Sequence, residues 1–306
     1  MNQKPTNEFR GESRHDFLDP QVLARLSKLN VVARGLVEGS FTGMHKSPHK
    51  GSSVEFAQYR KYVPGDDIKN VDWKIYAKTD RFYIKEYEAD TNLRCHLVVD
   101  SSASMGFKGR HGSKLNYTKR MAATLAQLLI LQGDAVGLQC FNEKVTKDIP
   151  ARGSPKHLRN IFEILSEVKP EGKTRIVDVL HHLAEKIRKR AMIIVFSDFF
   201  TDIEEILDCF QHMRFRKHDL AVFHLMDPEE LNFDFDRSIR FLDMESSFSI
   251  VTEPAIIKNE YLKELNHYLD RMMLGCREFH VDYRFTNLSR TYDSVLSEFL
   301  LSRQRK

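Results

Sequence analysis

From residue 93 onward, short apolar runs alternate with stretches whose apolar residues recur at helical spacing. A chain patterned in this way is restricted to a largely parallel sheet covered by helices on both faces. The runs "LRCHLVVD", "AVGLQCF", "AMIIVFSD", "LAVFHLMD" and "HVDYRF" have the character of buried strands, and "KVTKDIP" reads as an edge strand. Between them the spacing predicts helices over 114–133, about 155–168, 176–190, 202–216, 256–274 and 291–302. Met121, Leu125, Leu128 and Leu129 share one side of the first of these helices and read as core. The fold class is therefore α/β, doubly wound and Rossmann-like.

Upstream the pattern is of another kind. "LDPQVLARLSKLNVVARGLV", residues 18–37, predicts an amphipathic helix, and "EGSFTGMHKSPHKGSS" a loop. Residues 54–92 are rich in Tyr, Phe, Ile and Val, with Pro64-Gly65 set for a tight turn and a helical turn near Ile68 to Trp73. Two units are expected from this shift: residues 1–92 as an N-terminal helix and small β-rich subdomain, and 93–306 as the α/β domain.

Hydrophobic residues make up 42% of the 306 and charged residues 29%, an ordinary folded mixture. The 47 Lys and Arg exceed the 43 Asp and Glu by only four charges, spread along the chain, so nucleic acid is not the expected partner. The basic ending "SRQRK" reads as a frayed, solvated terminus. Cysteines 95, 140, 209 and 276 stand far apart with no CxxC pair, which fits reduced thiols rather than zinc or disulfides. No signal peptide is evident, and "AATLAQLLIL" and "AMIIVF" are too short to span a bilayer, so a cytoplasmic protein is expected.

Open α/β sheets bind ligands beyond the carboxyl ends of their strands. Two strands here end in polar residues at that edge: "HLVVDSSAS" in Asp100, and "MIIVFSDFF" in Ser197-Asp198. The loop "KPEGKTRIVDVL" brings Thr174 just ahead of a helix. Asp100, Ser102, Ser104, Thr174 and Asp198 then offer two carboxylates and three hydroxyls, a hard oxygen set that suits Mg2+ or its relative Mn2+. Taken alone, Thr174 or Ser197-Asp198 is better read as a helix cap.

The combination of DxSxS, a loop threonine and a later strand-end aspartate resembles the metal-ion-dependent adhesion site of von Willebrand factor A-like domains. The segment "EFAQYRKYVPGDDIKNVDWKIYAKTDRFYIKEYEAD" is similar to the hallmark of one branch, the bacterial domain of unknown function 58, whose members resemble proteins encoded beside MoxR-type AAA+ ATPases. The resemblance runs from about residue 30 to the end. It implies a non-enzymatic, metal-dependent binding module that acts with such an ATPase in chaperone-like maturation or regulation of other proteins. It also implies that Ser102 and Ser104 ligate directly, that Asp100 and Asp198 supply charge directly or through water, that Thr174 enters or leaves the shell, and that a partner's acidic residue completes it.

Other chemistry fits less well. "SSASMG" lacks the glycine two positions before a serine that a hydrolase elbow requires. A metal-dependent phosphatase using Asp100 as nucleophile would want a second carboxylate where Ser102 stands. Asp66, Asp67 and Asp72 lack the glycine and glutamate of a calcium loop and read as turn and capping acids. Trp73 with Tyr59, Tyr62 and Tyr76 reads as a seal between the β-rich part and its neighbour, and His181-His182 with Glu185 as a solvated helix face.

Overall fold

The computed structural model describes residues 18–29, 31, 46–47, 54–62, 71–90, 93–233, 239–242, 244–245 and 249–304. The chain begins with α1 (Pro20–Leu26), β1 (Lys46–Ser47), β2 (Val54–Lys61), α2 (Trp73–Thr79) and β3 (Tyr83–Asp90). There follow β4 (Arg94–Asp100), a 3-10 turn at Ala103–Gly106, the ribbon β5 (Lys108–Gly109) and β6 (Gly112–Ser113), α3 (Lys114–Leu131), β7 (Ala135–Phe141) and β8 (Val145–Arg152). The remainder is α4 (Pro155–Glu167), α5 (Ile176–Lys186), β9 (Met192–Ser197), α6 (Ile203–Phe215), β10 (Asp219–Met226), α7 (Pro228–Asn232), β11 (Ile239–Leu242), β12 (Ser249–Thr252), α8 (Pro254–Glu278), β13 (Asp282–Asn287) and α9 (Tyr292–Gln304).

Six strands form the main sheet in the order β13-β10-β9-β4-β7-β8. Every pairing is parallel except β7 with the edge strand β8. From β4 the chain moves outward to β7, then returns to β9 on the other side and continues outward to β10 and β13. The direction of winding therefore reverses between β4 and β9, the place where open sheets of this kind leave a crevice.

Strand residues alternate between two cores because successive side chains point to opposite faces. Cys95, Leu97 and Val99 of β4 join Met192, Ile194 and Phe196 of β9 under α1, α3, α4 and α9. Val98, Ile193 and Val195 point the other way, against α5, α6 and α8. Helix starts carry the caps that the sequence provides: Asp72 accepts from the Lys74 and Ile75 amides, Ser154 from His157, and Asp202 from Glu204 and Glu205.

Several expectations are adjusted. The N-terminal helix is described over Pro20–Leu26, while residues 32–37 and the Pro64-Gly65 turn with Asp66 and Asp67 lie outside the described residues. Of the helical turn expected near Ile68 to Trp73, residues 68–70 lie outside the described residues, and α2 begins after its cap Asp72. Tyr62, Trp73 and Tyr76 gather with Phe82, Tyr76 stacking on it at 4.4 Å, and Trp73 stays 56% exposed. His181 meets the His212 ring nitrogen at 3.0 Å rather than solvent alone. The reading of "SRQRK" as solvated fails at Arg303, which is fully buried on α9 and bound to Asp219 and Asp282. No helix among the described residues is long and apolar enough to cross a membrane.

Candidate metal centre at the strand ends

The carboxyl ends of β4 and β9 are adjacent, and so are the residues that follow them. Asp100 is fully buried. Its Oδ1 accepts the Ser102 amide at 2.9 Å, a turn that folds the chain back on itself directly after the strand. Its Oδ2 accepts the Ser197 hydroxyl at 2.6 Å and the Thr174 hydroxyl at 3.4 Å. The Ser102 and Ser104 oxygens lie 3.1 Å apart on the next turn. Four of the five expected residues are thus linked by hydrogen bonds, and Asp198 is joined to them through its neighbour Ser197.

Backbone contacts hold the Thr174 loop in place. Ala103 donates to the Gly172 carbonyl at 2.9 Å, and Glu171 to the Ser101 carbonyl at 2.9 Å. Gly172 has φ of +76°, a conformation that favours glycine. At Gly106 a Cβ would stand 2.9 Å from Pro170, so the serine turn and this loop close on each other only because residue 106 has no side chain. The Thr174 amide donates to Glu245 Oε2 at 3.0 Å, a contact from beyond β11 that no local pattern announced.

Charge at this edge is one-sided. Burial, and next the neighbouring Asp198, push the Asp100 carboxyl up to about 7 despite hydrogen bonds from Ser197 and Ser102. Asp198 is 1% exposed; its Oδ2 accepts Lys114 Nζ at 2.7 Å, and its Oδ1 has no hydrogen-bond partner among the described residues. Lys114 itself is fully buried and also donates to Glu230 Oε1 at 2.8 Å. Burial opposes its charge, but Asp198 and Glu230 outweigh burial and hold the ammonium above its ordinary titration range. Glu230 Oε2 accepts the Asp227 amide in the capping box that starts α7. Asp100, Asp198 and Glu230 against the Lys114 ammonium leave two excess negative charges when Asp100 is ionised, before Glu245 beside Thr174 is counted.

These features suit a hard divalent cation: two carboxylates, three hydroxyls, an unpartnered Asp198 oxygen and uncompensated negative charge. Among the described residues no group of three His, Cys, Asp or Glu is disposed to hold a metal, so the hydroxyls of Ser102, Ser104 and Thr174 would have to complete the set. Of the described hydrogen bonds, none joins a histidine to Ser101, Ser102, Ser104 or Ser197, so these serines have no visible base. The four cysteines are buried and unpaired, and burial pushes their thiols up, away from reactivity.

Comparison with known proteins gives four findings. The model of the family described as "Protein of unknown function DUF58" matches residues 58–267. An uncharacterised protein of Mycobacterium tuberculosis is 26% identical over 272 residues, covering 86% of this chain and 84% of the relative. Among solved structures, the conserved hypothetical protein BatB from Bacteroides thetaiotaomicron is similar at 15% identity, with a TM-score of 0.48 over 70% of this chain and 100% of that one. The SpRpn10 VWA domain is similar at 11% identity, with a TM-score of 0.41 over 68% of this chain and 95% of that one. The assignment of the fold rests on the chain's own sheet topology.

Proposed function

From the premise that this chain belongs to the DUF58 family, we propose that it is a divalent-metal-dependent protein-binding module without catalytic activity of its own. The observation that carries this reading is the meeting of Asp100, Ser102, Ser104 and Thr174 beside Asp198, whose Oδ1 is buried and unpartnered. Ser102 and Ser104 would hold Mg2+ or Mn2+ directly, with Asp100 and Asp198 supplying charge and Thr174 adjusting the shell. The bound ion would supply an electrophilic position that attracts an acidic oxygen of a partner protein.

Neighbouring contacts would help to present that position. Ser197 and the Ser102 amide orient Asp100, and the Gly172 loop sets the distance of Thr174 from it. A MoxR-type AAA+ ATPase is the proposed partner, with chaperone-like maturation or regulation of other proteins as the shared task and the cytoplasm as its place. Support for that partner comes from the resemblance of the segment around residues 55–90.

The test is association of the purified chain with a MoxR-type ATPase from the same genome, in Mg2+, in chelator, and with Asp100→Ala. Binding that needs Mg2+ and is lost in Asp100→Ala is the expected result; binding indifferent to both sinks the reading. Metal-dependent hydrolysis of a phosphate ester, abolished in Asp100→Ala, would instead establish the phosphatase.

A further inference from the structure

Lys114 occupies a position that is costly for a cation in two respects. Its side chain is entirely removed from water, and it is the first residue of α3, at the end of the helix where the backbone dipole repels positive charge. Among the described residues two carboxylates compensate, Asp198 Oδ2 at 2.7 Å and Glu230 Oε1 at 2.8 Å, and the Phe107 and Phe200 rings stand 5.7 and 5.0 Å away. The ammonium is thus built into the cluster that would receive the metal.

This placement has two consequences for Asp198. One of its oxygens is committed to the lysine, so only Oδ1 remains for another cation. A positive charge also stands within hydrogen-bond distance of a candidate ligand, in surroundings where charges are poorly screened. With the lysine the three carboxylates sum to minus two rather than minus three.

We propose that Lys114 is a tethered counter-cation that sets the threshold for loading the metal site. It keeps the affinity of the unpartnered site for divalent ions low, and the negative charge of a partner's carboxylate offsets it when the complex forms. Glu230 acts as its counterweight, sharing the ammonium with Asp198. The inference rests on the metal-binding reading and adds its regulation.

Mn2+ binding to the full chain, measured by calorimetry and by the electron-spin signal of the free ion, tests it. Lys114→Met should bind Mn2+ roughly tenfold or more tighter than the wild type, and Glu230→Gln several-fold weaker. The double variant Lys114→Met/Glu230→Gln removes the buried pair together, which guards against a misfolded single variant; its charge sum equals that of the wild type, and it should still bind more tightly because both Asp198 oxygens are then open to the ion. Circular dichroism checks the fold of each. A folded variant lacking Lys114 whose affinity equals or falls below that of the wild type overturns the role given to the lysine. Absence of Mn2+ binding from the wild type and every variant overturns the metal reading itself, whereas binding gained only when Lys114 is removed supports both.

Discussion

Ser197 is the residue on which the geometry of Asp100 depends most directly. Its hydroxyl donates to Asp100 at 2.6 Å and accepts the Phe199 amide at 3.0 Å, at a turn where Phe199 takes φ of +52°. Ser197→Ala removes a bond to a buried carboxylate and frees the turn together. The expected loss is about 1–3 kcal/mol of stability in the metal-free protein, read from urea unfolding in chelator. A wild-type midpoint would mean that the hydroxyl is not engaged with Asp100. At this scale the five oxygen-bearing residues were legible because each sits where a strand ends or a helix begins. Lys114 and Glu230 were not, because Lys114 meets Asp198 across 84 residues and Glu230 across 116, and each looks locally like an ordinary charge near a helix start.

Among the elements, α9 shows how a terminus can be fixed in place. Arg303, near its end, is fully buried; its guanidinium donates to Asp219 at the start of β10 and to Asp282 at the start of β13, and lies 4.8 Å from the Phe299 ring. The helix is therefore clamped across two neighbouring parallel strands at the edge opposite the carboxyl ends of β4 and β9. Arg303→Met should cost about 3–5 kcal/mol, because two buried carboxylates lose their shared cation. Melting and urea curves measure this, and a change under ~1 kcal/mol would mean that water replaces the arginine. Periodicity located this helix correctly but could not tell that a polar tail turns inward. The same limit hid α7 and the hairpin of β11 with β12, which are too short to carry a period. Helix α5 ends at Lys186 rather than 190, since the basic run that follows leads down into β9.

At the scale of the whole molecule, the doubly wound sheet was legible because alternation of strand and helix leaves few architectures, whereas the strand order follows from which helix covers which face. That order buries titratable groups of opposite sense in and beside one sheet. Burial depresses His218 and His224 to about 4, and raises Asp100 to about 7 and Asp134 to about 6. For the histidines, stability is present above their unfolded value near 6.5 and is lost as pH falls toward 4. For the two aspartates it is present below their unfolded value of 3.8 and is lost as pH rises through the folded values. Between about pH 4.5 and 6 the two pairs exchange similar numbers of protons in opposite directions, so their slopes oppose and largely cancel. Removing one group should expose the other slope. His224→Phe should make stability fall with rising pH by about 1.4 kcal/mol per unit relative to the wild type, and Asp100→Asn should tilt the curve the other way by a similar amount. Urea midpoints across that interval, in chelator, measure both tilts. Curves that stay parallel to the wild type would mean that neither group changes its protonation on unfolding, and that the one-sided charge at the carboxyl edge of β4 and β9 is relieved by some cation even without added metal.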